Sequence, residues 1–159
     1  TDLHGLGSDS AANAAAKGAD AVTNPSPKAV VERFWELYNG PETIFQTADL
    51  CAEDCEHHQA PLFGPAACYV GREPQIERIR MVAAAFSDWR VTPLQVVADG
   101  EDVACRYAWT ATSRVPLPGF PAGSRLRMDA SCFFTVRGGA IVRIHDTPGV
   151  IVLQEKGPP

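Results

Sequence analysis

Between Trp89 and Thr147 the chain reads as four strand-like segments joined by turn signals, with no helical stretch among them. In Val103 to Ser113, the residues Val103, Cys105, Tyr107, Trp109 and Ala111 fall on alternate positions. They share one face, because successive side chains of a strand point to opposite sides. Asp99-Gly100 turns the preceding segment, Trp89 to Ala98, into this one. Gly138-Gly139 predicts a tight hairpin between Leu126–Val136 and Ala140–Thr147. The loop PLPGFPAG makes the longer connection. Helical patterns dominate everything before this meander. Helices first and an antiparallel meander after, without strand–helix–strand alternation, is the α+β order.

Ser26 suits a helix N-cap and Pro27 the first helical position. Val30, Phe34 and Leu37 form one stripe, with Val31, Trp35 and Tyr38 beside it. That arc is wider than a helix needs to cover one side of a core. Asn39-Gly40 ends the helix. A second short helix is expected over Glu42 to Leu50, a short strand over Asp54 to Gln59, and a loop through PLFGPAACYVG. Ile76, Ile79, Ala83 and Phe86 predict a third helix from Glu73 to Phe86. Residues 1–25 contain almost no large apolar groups and are expected to form a flexible extension, dispensable for folding. They lack the basic start and apolar core of a signal peptide. The domain proper is expected to span 26–159.

Apolar residues make up 45% of the chain and charged residues 21%, with a formal net charge of -5. A nucleic-acid binder normally carries a basic face, so no nucleic-acid partner is expected. The apolar runs are too short to span a membrane as helices. Five cysteines without a CxxC pair point to reduced, buried thiols in a cytoplasmic protein. A Cys51–Cys55 bridge or a reactive thiol is the alternative. The chain has no P-loop, GxGxxG, GxSxG or HExxH, so neither a nucleotide cofactor nor a catalytic metal is implied.

Several stretches together carry a resemblance: ADLCAEDCEHH, GREPQIERIRMVAAAFSDWRV, ADGEDVACRYAWTATS and GFPAGSRLRMDASCFFTVRGGAIVRIHD. From Val30 to Gly157 the chain resembles the SnoaL-like polyketide cyclases of the nuclear transport factor 2 superfold. The resemblance implies a cone-shaped, curved sheet, antiparallel or mixed, packed with about three helices around an apolar pocket. It also implies a homodimer formed on the open face of the sheet. In the family's aldol cyclases an Asp on the last strand is the acid/base, and Asp146 stands at that position. The family's His on the preceding strand is replaced by Cys132. Ser113 stands where many members have His before the long loop.

The residues themselves support a site on that strand. If Ile144 and Val142 face a pocket, Asp146 does too. Burial raises the pKa of a carboxyl, which suits proton abstraction beside a carbonyl near neutral pH. The other use of such an Asp is to cap a strand end. His57 and His58 are neighbours on a strand, so only one points inward. His57, which shares a face with Cys55 and Gln59, is the favoured base or hydrogen-bond partner, against a surface histidine. Trp35, Tyr38, Phe86, Tyr107, Trp109, Cys132 and Phe134 are candidates for lining a ligand pocket, against a plain core. Tyr38 or Tyr107 would polarise a carbonyl. Arg106 either pairs with Asp129 on the next strand or anchors a ligand carboxylate, and the pair is favoured. No metal site is expected.

The expected function is a cofactor-independent acid/base enzyme on an apolar polyketide- or terpenoid-like molecule, by aldol cyclisation or isomerisation. A non-catalytic binding or scaffold domain is the alternative. An epoxide hydrolase or dehydratase ranks third, because Glu56 and Asp129, the nearby strand carboxylates, fall on the other face.

Overall fold

A computed structural model describes residues 23–154. The proposed extension over 1–25 therefore lies almost wholly outside the described residues.

Helix α1 spans Pro27–Tyr38, and Ser26 Oγ caps it by accepting from the Ala29 N–H at 3.2 Å. Its apolar arc is buried: Val30, Val31, Phe34, Trp35, Leu37 and Tyr38. The side-chain amide of Asn39 then pairs with the backbone of Val91 in both directions, at 2.7 and 2.8 Å. This fixes the end of α1 to the sheet. A 3₁₀ segment, Ile44–Leu50, stands where the second helix is expected.

Seven strands follow in one sheet: β1 Cys51–Gln59, β2 Ala67–Val70, β3 Phe86–Asp99, β4 Asp102–Ser113, β5 Arg125–Arg137, β6 Ala140–Thr147 and β7 Val152–Leu153. The order is β2-β1-β6-β5-β4-β3, with β7 added on β5. Only β1 and β6 run parallel, so the sheet is mixed. Strand β2 lies inside the stretch expected to be loop. Its sequence, Ala-Cys-Tyr-Val, suits a short edge strand between the Gly64-Pro65 bend and Gly71.

Helix α2 spans Arg72–Ala85, and Phe86 opens β3 instead of closing the helix. Gly71 has φ 90°, and a Cβ there would sit 3.2 Å from the Glu53 carbonyl oxygen. Glycine lets the chain turn left-handed against β1 and enter α2 at once. Gln75 and Ile79 are the buried residues of α2, with Val82, Ala83 and Ala85 packed against the core; Ile79 and Ala83 are as expected, while Ile76 is only partly buried.

Two irregularities aim side chains. The Phe-x-Asp junction after α2 is a bulge between Ser87 and Arg90, with Asp88 at φ 50°. In β6 the register shifts opposite Thr135 and Val136, and Val142 is the extra residue. Ile141 and Ile144 are therefore the inward pair, and Val142 is only partly buried. The bulge leaves Ile144 and Asp146 on the inner face.

Candidate active site

The curved sheet, α1 and α2 enclose a cavity of about 480 Å³. Its wall is apolar for a simple reason. The inward alternation of β4 and β5 delivers Tyr107, Trp109, Met128 and Cys132, while α1 contributes Phe34, Trp35 and Tyr38. Phe86 packs edge-on against Trp109, with ring centres 5.1 Å apart. Leu62, Phe63 and Leu117 come from the two long loops. A flat apolar molecule fits such a wall.

Of the candidate lining residues, Trp35, Tyr38, Phe86, Tyr107, Trp109 and Cys132 border the cavity, together with Asp146 and His57. Phe134 does not. It is 1% exposed, and its ring lies 5.3 Å from Phe34 and 5.7 Å from Trp35, so α1 covers it as core.

Strand β6 sits between β1 and β5, which places Asp146 near the middle of the sheet. Gln59 is its register partner on one side and Cys132 on the other. The Tyr107 hydroxyl donates to Asp146 Oδ1 at 2.7 Å. Arg78 Nη2 lies 3.7 Å from Oδ2. Arg78 Nε donates to Gln59 Oε1 at 3.0 Å. Burial raises the Asp146 pKa above its ordinary 3.8, while Arg78 and the Tyr107 hydrogen bond pull it back. Burial and the Asp146 charge push the Tyr107 phenol far up, so it stays protonated. Burial, followed by the Asp146 charge, likewise keeps the Cys132 thiol neutral.

His57 points inward and is 3% exposed. His58 points outward, stacks on His145 at 4.5 Å and meets Glu56 at 2.9 Å. Nδ1 of His57 is 3.1 Å from Gln75 Oε1. An amide oxygen only accepts, so Nδ1 carries the hydrogen and Nε2 keeps a lone pair. Burial, and then the Arg78 charge, lowers the His57 pKa well below 6.5. The imidazole is therefore neutral at pH 7, which suits a hydrogen-bond partner better than a proton store.

That shift has a sign that can be measured. The stability due to neutral His57 is complete above pH 6.5, the unfolded value. It is lost as pH falls towards the folded value, because the unfolded chain takes up the proton first. One such proton gives a slope of about 1.4 kcal/mol per pH unit. Urea unfolding between about pH 6.5 and pH 5 is expected to show a shallower slope for His57→Gln than for the wild type. Equal slopes would mean that His57 is open to water.

The expected partner of Arg106 is corrected. Arg106 does not pair with Asp129: its register partner is Ser131, it is exposed, and Asp129 pairs instead with Arg127 at 3.4 Å. Both lie on the outer face, where Arg106 reaches no cavity ligand. The cysteines are free thiols as expected, all buried except Cys68, and the alternative Cys51–Cys55 bridge is not formed. Glu56 also faces outward, towards His58 and Arg143. Ser113 holds the β4–β5 loop by donating to the Pro121 carbonyl at 3.1 Å, and it does not border the cavity.

Arg78 and Gln75 were missed by the sequence reading. They sit at i+3 spacing on the inward face of α2, next to Ile79. A polar pair on a buried stripe was the available signal. The Ile76–Ile79–Ala83 pattern obscured it.

Among the described residues, no three His, Cys, Asp or Glu side chains are grouped to hold a metal ion. No described helix is long and apolar enough to cross a membrane.

The family model of the SnoaL-like domain matches residues 31–144. No curated protein sequence matches the chain significantly. Solved structures do. IdmH, a proposed polyketide cyclase of Streptomyces antibioticus, is 22% identical with a TM-score of 0.64, over 78% of this chain and 92% of that one. A proposed SnoaL-like polyketide cyclase from Jannaschia sp. CCS1 is 15% identical with a TM-score of 0.65, over 79% and 90%. SalBIII, an epoxide hydrolase/cyclase-like enzyme in pyran ring formation in the polyether salinomycin, is 21% identical with a TM-score of 0.64, over 80% and 95%. At these identities the likeness shows a common fold.

Proposed function

The chain belongs to the SnoaL-like domain family, and we propose that it is a cofactor-independent acid/base enzyme acting on an apolar, polyketide- or terpenoid-like carbonyl compound. The observation that carries this reading is a largely buried carboxyl, Asp146, hydrogen-bonded to Tyr107 and set into the wall of an apolar cavity. The ionised Asp146 takes a proton from the carbon beside a carbonyl. The C–H bond breaks, its electron pair moves towards the carbonyl oxygen, and an enolate forms. In an aldol cyclisation the enolate carbon attacks a second carbonyl of the same molecule. The resulting alkoxide takes the proton back from Asp146. In an isomerisation the proton returns to a different carbon. Protons and electrons balance in both, so no co-reactant is needed.

Epoxide opening ranks lower. It calls for a second carboxylate to activate water, and Asp146 is the one carboxyl on the cavity wall among the described residues. The test is uptake of solvent deuterium beside the carbonyl of a bound apolar ketone, with no cofactor added. Uptake above the buffer rate is expected. Binding without uptake would favour a non-catalytic binder.

A further inference from the structure

The proton transfer just described leaves Arg78 and Tyr38 without a task. A guanidinium is costly to bury, and its side chain is only 11% exposed. Its protein contacts do not use it up. Arg78 offers five N–H donors. Nε is spent on Gln59. Nη2 reaches Asp146 only at 3.7 Å, longer than the roughly 2.7–2.9 Å of a charge-assisted bond. The residue borders the cavity. Tyr38 borders it too, close enough for the Arg78 and Asp146 charges both to act on its hydroxyl. Tyr107 is already committed to Asp146. Two donors therefore remain beside the proton acceptor.

Charge decides what they are for. Before proton transfer, Arg78 faces the Asp146 carboxylate. Afterwards Asp146 is a neutral acid, and the negative charge sits on the oxygen of the ligand. A cation fixed beside the carboxyl then has its partner in the ligand. Donors that gain a partner only as charge develops lower the barrier to forming it.

We propose that Arg78 and Tyr38 form the binding site for an anionic ligand oxygen, and that the ligands taken here are apolar rings carrying an enolate or an acidic enol. Arg78 is then a catalytic residue in the proton transfer. The inference rests on the acid/base reading of Asp146, but it is tested by a separate readout.

The probe is a nitrophenol, whose colour reports its ionisation, with nitrobenzene as the neutral control. Binding is titrated in the wild type and in Asp146→Asn, where the amide stands in for the protonated acid. In Asp146→Asn the bound phenol is expected to ionise at a lower pH than it does in buffer. Adding Arg78→Gln to that variant removes a charge without leaving a buried carboxylate unpaired. It is expected to cost about 10–100-fold in affinity for the phenolate, with nitrobenzene affinity kept within about twofold. Arg78→Lys should restore part of the loss, and Tyr38→Phe should cost several-fold.

A phenol that binds neutral, with its ionisation moved to higher pH, overturns the proposal without any Arg78 variant. Equal losses for phenolate and nitrobenzene overturn it too. If the phenolate preference holds but Asp146→Asn still exchanges protons normally, the acid/base reading fails and the anion site stands. If Asp146→Asn abolishes exchange but the preference is absent, only the present inference fails.

Discussion

Replacing Asp146 by Asn is expected to slow proton transfer by about 10²–10⁴-fold, the usual contribution of general acid–base catalysis. Affinity for a neutral apolar ligand should change by no more than about threefold. The two side chains have nearly the same size, so the cavity keeps its shape. The amide oxygen still accepts from Tyr107, which now holds Asp146 at 2.7 Å. What is lost is the capacity to take up and release a proton, together with the charge that faces Arg78. Exchange rates and ligand titrations on the same preparation separate the two effects. Cys132→Ala is the control. Cys132 is the register partner of Asp146, but its thiol stays neutral and offers only surface. It should cost far less. Normal rates in Asp146→Asn with a dead His57→Ala would move the proton-transfer role to His57. No effect from either would leave a binding domain.

Phe134→Ala is expected to destabilise the fold by about 3–5 kcal/mol, the range for deleting a buried aromatic ring. Total stability is only about 5–15 kcal/mol, so this is a large share of it. The ring is 1% exposed and wedged against Phe34 and Trp35, where removal leaves a cavity that α1 cannot close without moving. Phe133, one residue earlier, is 55% exposed on the outer face. Phe133→Ala should stay within about 0.5 kcal/mol of wild type. Urea unfolding of the two variants reads the register of β5 directly. Reversed costs, with Phe133→Ala the expensive change, would mean that the strand is displaced by one residue, because such a slip swaps every side chain to the other face.

The fold was legible wherever local pattern and burial agree. Val103 to Ala111 alternate in the sequence because one face of β4 is buried and the other is not. Asp99-Gly100 and Gly138-Gly139 mark turns that need positive φ, and all three glycines have it. Strand β2 was hidden because it is only four residues long, pairs only with β1, and follows a Pro- and Gly-containing stretch that reads as loop. The bulge at Val142 was hidden for a related reason: an extra residue breaks the two-residue period that would reveal the strand's face.

Half of the polar cluster was equally legible. Asp146, His57 and the two tyrosines lie on strands or on a helix whose inward faces are plain. Arg78 was not, because sequence pattern assigns a charged helix residue to solvent. Its place is held by the Gln59 oxygen that accepts from its Nε. For Arg106 the partner was wrong, not the face. It sits among small apolar residues, yet alternation with Cys105 and Tyr107 puts it outside. The partner assigned to it, Asp129, lies opposite Ala108 instead.

The central claim is that this cavity moves a proton at carbon through Asp146. The most direct measurement is deuterium uptake beside the carbonyl of α-tetralone, a flat apolar ketone, followed by NMR in deuterated buffer. Binding is titrated in parallel, and no metal or nucleotide is added. The account predicts uptake well above the buffer rate, rising with pH as Asp146 ionises above its ordinary 3.8, and lost in Asp146→Asn. Saturable binding with uptake no faster than buffer, or uptake that Asp146→Asn leaves intact, would contradict it.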